Sequence, residues 1–353
     1  MDNQKKITIV DVARKAGVSK GTVDRVLHNR GEVSLESAEK VRRAVRELDY
    51  EPNVHASILA SGKSVLIVCL LPRSEEGEYW DRIRKGILEG GASVVSLNVK
   101  VEVVLYDQYD PECFKEACVS VLQKSPSGVI IPPLFKQSTL DLAAELTKRG
   151  IPYVYVDSKL EDDGYLAYFG LPNYKSGYLS AYLMTERCSP DMVTDVLAVR
   201  LRRDKSGLSD PTVERRAGFC DFMDANFPGC RIHNVFIDPS DPVSAQSALS
   251  EFERSHPGIP LVVMFNSRVH LIRTFLESHP CPGRRVLGYD NLEKNIFALR
   301  SGTVSVLIGQ HIEDFTARAV AAIVDFILLG KAPSRRDNYV HMDILTKYNV
   351  ENY

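Results

Sequence analysis

GVSKGTVDRVLHNRG, residues 17–31, opens at a glycine, passes a serine and spaces Val23, Val26 and Leu27 as one apolar face. That spacing predicts a short helix behind a tight turn, capped by Ser19 and running to about Asn29. Its outward positions are Lys20, Gly21, Thr22, Asp24, Arg25 and His28. Small, basic and hydroxylated side chains suit a phosphate-covered surface. Gly21 and Asp24 need a separate reason. Glycine costs a helix roughly 1 kcal/mol relative to alanine, and phosphates repel a carboxylate.

Moving outward, Thr8 followed by Asp11 is a capping box, so a helix starts near Ile9 and stops at Gly17. On the other side Gly31 breaks the chain and Ser34 caps a third helix reaching about Leu48. Val12, Ala16, Val18, Val23, Val26, Leu27, Val41, Val45 and Leu48 then form one small core. Three short helices with a tight turn between the first two are helix-turn-helix geometry, here over residues 1–50. In the following YEPNVHASILASGKS, Pro52 ends what precedes it, Asn53 caps a short helix through Ala60, and Gly62 ends that. So short a helix is marginal alone, and residues 51–63 read as a linker that is helical only with a partner.

From Val65 the pattern alternates. Strand-like runs occupy 65–71, 101–106, 128–134, 153–157, 195–201, 233–238, 261–265, 285–290 and 304–309. Amphipathic stretches of helical length lie between most of them, at 79–90, 111–124, 138–149, 174–187, 211–227, 242–255, 268–279, 291–301 and 312–330. Near-continuous apolar strands separated by helices imply parallel sheets covered on both faces. Nine such strands suit two lobes better than one sheet.

The whole chain sets bounds. At 353 residues it suggests two or three domains, and 44% hydrophobic with 25% charged residues is ordinary globular composition. The longest apolar run, Val65–Leu71, is far short of a membrane span, and no apolar region follows MDNQKK, so neither membrane contact nor a secretory signal is expected. Seven cysteines, none spaced C-x-x-C, fit reduced thiols in the cytoplasm. Residues 1–63 carry 12 Lys and Arg against 9 Asp and Glu, while the remainder carries 32 against 37. A basic head on an acidic body hints at an anionic partner for the head.

Enzyme signals are missing. SGKS at 61–64 imitates the end of a phosphate-binding loop, but Ser57 stands where that loop needs its first glycine. There is no G-x-S-x-G, H-E-x-x-H or G-x-G-x-x-G, and no histidine sits near a cysteine at metal-ligand spacing. No catalytic residue, cofactor or metal is expected.

The stretches ITIVDVARKAGVSKGTVDRVLHNRGEVS and AEKVRRAVRELDYEPNVHASILASGKS closely resemble the lac repressor family (LacI/GalR). The resemblance implies an all-α helix-turn-helix head, a hinge helix at 51–63 and an α/β body over 64–353 like a periplasmic binding protein, with two doubly wound parallel sheets. It implies an N-terminal lobe of about 64–169 and 310–335 and a C-terminal lobe of about 170–309 and 336–353.

It also implies roles. The second helix lies in the major groove, where Lys20, Gly21 and Arg25 occupy base-reading positions and His28 continues that face. Thr8, Ser19, Thr22, Ser34 and Ser37 match phosphate-contacting positions, although each alone reads better as a helix cap or a solvent-facing polar residue. Gly21 can read no base edge. Asp24, where many relatives carry serine, either accepts from cytosine N4 or orients Arg25 or Arg42. Asn53, Ala56 and Leu59 belong to the hinge helix, with Leu59 at the minor-groove wedge position, or simply packing in a linker.

Ligands of open α/β sheets bind beyond the carboxyl ends of strands. Trp80, Asp157, Arg215, Asn266, Asp290 and Gln310 occur there, and the R-x-x-G-F, F-N and G-Y-D features resemble those holding a sugar in the family. The competing readings are a helix cap for each aspartate, a surface pair with Glu214 or Asp221 for Arg215, and interlobe packing for Tyr79 and Trp80. The acidic loop DSKLEDDG (157–164) disfavours a strongly anionic effector. The expected protein is a homodimeric, effector-controlled regulator on a near-palindromic operator. Its rivals are a solute receptor and an enzyme fused to a DNA-binding head. With no heptad tail after YVHMDILTKYNVENY, a tetramer is not expected.

Overall fold

The computed structural model describes residues 7–27, 31–50, 63–161, 164–202 and 211–352. The chain divides into a unit of residues 1–63 and a unit of residues 64–353. In the first, helix α1 (Ile9–Ala16) opens where the Asp11 carboxylate accepts from the Thr8 amide (3.0 Å) and hydroxyl (2.7 Å). It closes at Gly17, whose φ of 65° is left-handed and whose amide donates to the Ala13 and Arg14 carbonyls. Helix α2 (Lys20–Leu27) starts where Ser19 Oγ accepts from the Thr22 amide (3.1 Å). Helix α3 (Leu35–Glu47) starts where Ser34 Oγ accepts from the Ser37 amide. Val12, Val23 and Val41 are fully buried between them, with Ala13, Ala16 and Ala44 filling the narrow gaps.

The second unit holds two six-stranded sheets. The strands are β1 (Val65–Pro72), β2 (Val99–Tyr106), β3 (Gly128–Ile131), β4 (Tyr153–Val156), β5 (Ala167–Gly170), β6 (Asp195–Leu201), β7 (Arg231–Ile237), β8 (Leu261–Met264), β9 (Arg285–Tyr289), β10 (Val306–Gly309), β11 (Asp337–Tyr339) and β12 (Asp343–Leu345). The first sheet runs β2-β1-β3-β4-β5-β11 and is parallel throughout. The second runs β7-β6-β8-β9-β10-β12 and is parallel except for β12, which pairs antiparallel with β10. Helices α4 (Tyr79–Val94), α5 (Pro111–Gln123), α6 (Lys136–Lys148), α7 (Asn173–Thr185), α8 (Pro211–Asn226), α9 (Pro242–Ser255), α10 (Arg273–Ser278), α11 (Glu293–Arg300) and α12 (Ile312–Leu329) cover them. Strands such as β1 and β8 are buried almost throughout, as parallel strands under two helical layers must be.

All nine strand runs read from the sequence are strands. The nine runs leave out β5, whose four residues fall between a loop and Pro172, and the two short strands β11 and β12 of the C-terminal segment. That segment also corrects the lobe boundary. Strand β11 pairs with β5, Asp337 opposite Tyr168, so residues 337–339 belong to the N-terminal lobe instead of the C-terminal one. The chain therefore crosses between lobes three times, after β5, after β10 and between β11 and β12. After the second crossing α12 returns to pack on α4 in the N-terminal lobe.

Candidate functional site

Both sheets present their carboxyl ends to one cleft. Asp157 follows β4, Asp290 follows β9, Gln310 follows β10 and Asn266 lies two residues beyond β8. Trp80 stands in the first turn of α4 and Arg215 is the fifth residue of α8. Trp80, Asp157, Arg215, Asn266 and Asp290 line a small cavity of about 60 Å³. Gln310 stands against it, its Nε2 donating to Asp290 Oδ1 (2.7 Å) and to the Tyr79 hydroxyl (3.3 Å). Ser74, Glu78, Gln108 and Arg268 line this cavity and also an adjoining chamber of about 680 Å³.

The two aspartates occupy matching places in the two lobes. Asp157 has φ 68° and donates its amide to Phe169 on β5; Asp290 has φ 66° and donates its amide to Ile308 on β10. Neither caps a helix. The Tyr79 hydroxyl donates to Asp157 Oδ1 (2.5 Å) and its ring meets Trp80 edge to face at 5.2 Å. Burial, reinforced by the Asp157 charge, pushes the Tyr79 phenol well above its ordinary range, so it stays a neutral donor. Burial also raises the Asp290 carboxyl, against the opposing pull of Arg215 and Gln310.

Arg215 is only 3% exposed. Its Nε donates to Asn173 Oδ1 (3.0 Å), Nη1 donates to the Phe265 carbonyl (2.9 Å), and the guanidinium stacks 4.3 Å from the Tyr289 ring centre. Surface pairing with Glu214 or Asp221 is not what holds it; Asp221 accepts from Tyr174 instead. Burial works against the Arg215 charge, but Asp290, Tyr289 and Asp157 outweigh it and raise the guanidinium further. Among the described residues Nη2 makes no hydrogen bond, nor does Asn266 Nδ2, while Asn266 Oδ1 accepts from the Arg268 amide. Carboxylate acceptors, a guanidinium and an amide donor beside an aromatic wall are the groups that hold a polyhydroxylated ring.

Interlobe contacts flank the cavity. Glu78 of the N-terminal lobe accepts from Lys294 Nζ (2.8 Å) and lies 3.9 Å from Arg268 Nε, both on the C-terminal lobe. Burial raises the Glu78 carboxyl, yet the charges of Lys294, Arg268 and His270 prevail and leave it below its ordinary value. Arg82 forks onto Glu313 (2.6 Å to each oxygen) and also donates to Asn291 Oδ1 (2.9 Å) across the cleft. Glu78 and Asn173 were missed as site residues, because their partners lie far away in sequence; Tyr79, weighed as interlobe packing, holds Asp157 instead.

In the head, Lys20, Gly21 and Arg25 are exposed on α2, while Thr22 and Asp24 are half-buried. Arg25 Nε donates to the Gly21 carbonyl (3.2 Å), so this glycine serves the arginine through its backbone. Thr8, Ser19, Ser34 and Ser37 sit at helix starts and are engaged there in capping. His28, Asn53, Ala56 and Leu59 lie outside the described residues.

Fold and cleft define the class: a two-lobed binding protein of the periplasmic type that carries a helix-turn-helix head. Residues 67–332 match the periplasmic binding protein domain and residues 8–53 match the bacterial regulatory proteins of the lacI family. The chain belongs to the lacI family, with a periplasmic-binding-protein body. A crystal structure from Bacteroides fragilis, described as a LacI transcriptional regulator, is 31% identical with a TM-score of 0.75, covering 82% of this chain and all of that one. The HTH-type transcriptional regulator MalR of Streptococcus pneumoniae is 30% identical over 154 residues, 44% of this chain and 46% of MalR. The matched stretch is thus a little under half the length of that curated relative. GanP, a glucose-galactose binding protein of Geobacillus stearothermophilus, shares the fold at 19% identity and TM-score 0.68, over 81% of this chain and 99% of its own.

Proposed function

We propose that this chain is a DNA-binding transcriptional regulator, acting as a repressor of carbohydrate-metabolism genes, controlled by a sugar or sugar derivative held between its two lobes. It works in the cytoplasm as a homodimer on a near-palindromic duplex operator, and it catalyses no reaction. The observation that carries this reading is the joint presence of two features. One is a cleft where Asp157, Arg215, Asn266 and Asp290 meet beside Trp80. The other is a head whose α2 exposes Lys20 and Arg25. The sugar named in the description of GanP and the regulator name of MalR point the same way. Differential affinity of the effector for two lobe arrangements would supply the control.

Selection of duplexes from a random pool, followed by anisotropy titrations with and without a panel of monosaccharides, tests both halves. A partial palindrome should emerge, and at least one sugar should change its affinity. A pool without consensus sinks the DNA half; a panel without effect sinks the effector half. Arg25→Ala should weaken operator binding by about 1–3 kcal/mol while weakening random-DNA binding less, as loss of a base contact does; equal losses would remove its base-reading role. Arg215→Ala should abolish the sugar response and leave operator affinity unchanged; an intact response would remove Arg215 from the site.

A further inference from the structure

The side chain of Asn173 touches both halves of the cleft. It is the first residue of α7, three positions past the end of β5 where the chain first crosses between lobes, and it is 3% exposed. Its Oδ1 accepts from Arg215 Nε (3.0 Å), and its Nδ2 donates to the backbone carbonyl of Asp157 (3.3 Å). Arg215 belongs to the C-terminal lobe and Asp157 ends a strand of the N-terminal one. An uncharged amide can donate and accept at once; a carboxylate cannot donate and a guanidinium cannot accept.

The surroundings make this bracket stiff. Helices α7 and α8 touch backbone to backbone: a Cβ added at Gly177 would lie 1.7 Å from the Arg215 carbonyl oxygen, and one at Gly218 2.0 Å from that of Tyr174. Asn173 and Arg215 therefore move as one body. On the other side the Tyr168 hydroxyl shares its one proton between the same Asp157 carbonyl (3.1 Å) and the Leu171 carbonyl (2.8 Å), tying the crossing segment to the end of β4. A rotation of one lobe about the crossing must change the Asn173–Asp157 bond before it disturbs the Asn173–Arg215 bond.

We infer that Asn173 is a positioning residue that links effector contact in one lobe to the posture of the other. The inference rests on the effector reading given above. Asn173 presents Arg215 to the ligand through Oδ1 and reports lobe closure through Nδ2, so binding and response are separable at this one side chain. Asn173→Asp keeps the acceptor for Arg215 and loses the donor to Asp157; Asn173→Ala loses both.

Two measurements on the full chain test this. The first needs no ligand: a double-mutant cycle of Asn173→Ala and Arg215→Ala, read by urea unfolding, should be non-additive because each loss removes the same bond. An additive cycle overturns the inference. The second uses as probe whichever of D-glucose, D-galactose, D-arabinose, D-allose and D-tagatose most raises the wild-type unfolding midpoint. Asn173→Ala should bind that sugar at least about tenfold more weakly. Asn173→Asp should bind it within about tenfold of wild type, yet the sugar should no longer change operator affinity. A response retained by Asn173→Asp, or wild-type sugar affinity in Asn173→Ala, overturns the inference. If no sugar moves the wild-type midpoint, the effector reading fails on this panel, and the ligand-free cycle alone decides for or against the Asn173–Arg215 link.

Discussion

At the scale of single residues, Asp157 and Asp290 are the unusual ones. Both hold left-handed backbone, which costs a residue with a Cβ roughly 1–2 kcal/mol. Such strain at a site reflects placement of the side chain instead of stability. Asp290→Gly should therefore be more stable than Asp290→Ala by about 1 kcal/mol in urea unfolding, since both lose the carboxylate and only the alanine keeps the strain. Equal midpoints would contradict the strained geometry. Both aspartates were legible in the sequence as acids at strand ends, and Arg215 stood out within R-x-x-G-F. Their backbone conformation was not legible, because it is imposed by neighbours on β5 and β10. Tyr79 was legible as an aromatic at the cleft mouth, but its partner was not: its acceptor Asp157 is 78 positions away. Asn173, behind Pro172, looks like any residue opening a helix.

At the scale of elements, the α7–α8 crossing sets apart two effects that usually travel together. Helix propensity alone would have Gly177→Ala stabilise the chain by about 1 kcal/mol. The close approach of α8 reverses the sign, and a loss of about 3 kcal/mol is expected in denaturant unfolding, at the upper end of overpacking costs. Gly21 on α2 is the counter-case. A Cβ there would meet nothing nearer than Ser19 Oγ at 3.9 Å, so Gly21→Ala should raise the midpoint of the head by the equivalent of about 1 kcal/mol. A drop would show that the glycine is needed for the fold. The long helices and nine strands were readable because apolar periodicity is local. Strand β11, DNY, was not: three polar-flanked residues become a strand only because β5 offers them an edge.

At the scale of the whole two-lobed unit, Glu78 with Lys294 and Arg268 fastens the lobes across the cavity. Because the Glu78 carboxyl is held below its ordinary value of 4.5 by closure, its contribution is complete above that pH and is lost as pH falls through the lowered value. Trp80 is the single tryptophan of the chain and lines the cleft, so its emission reports the outcome. Glu78→Gln at neutral pH should shift that emission to the red, as should acidification of the wild type; unchanged emission in the variant would show that the latch does not hold the cleft shut. Three crossings connect the lobes, and all three leave from one side of the sheets, where β5, β10, β11 and β12 lie. Strands β2 and β7 form the opposite margins. That layout is a lever. With neighbouring strands about 4.8 Å apart, a six-stranded sheet is roughly 24 Å wide. A rotation on the order of 15° about the crossing side would swing the far margin by roughly 6 Å while the fulcrum stays almost still. Under the proposed effector control, a ligand that shifted a few atoms in the cleft would thus gain mechanical advantage, its small displacement delivered as a large one at the rim.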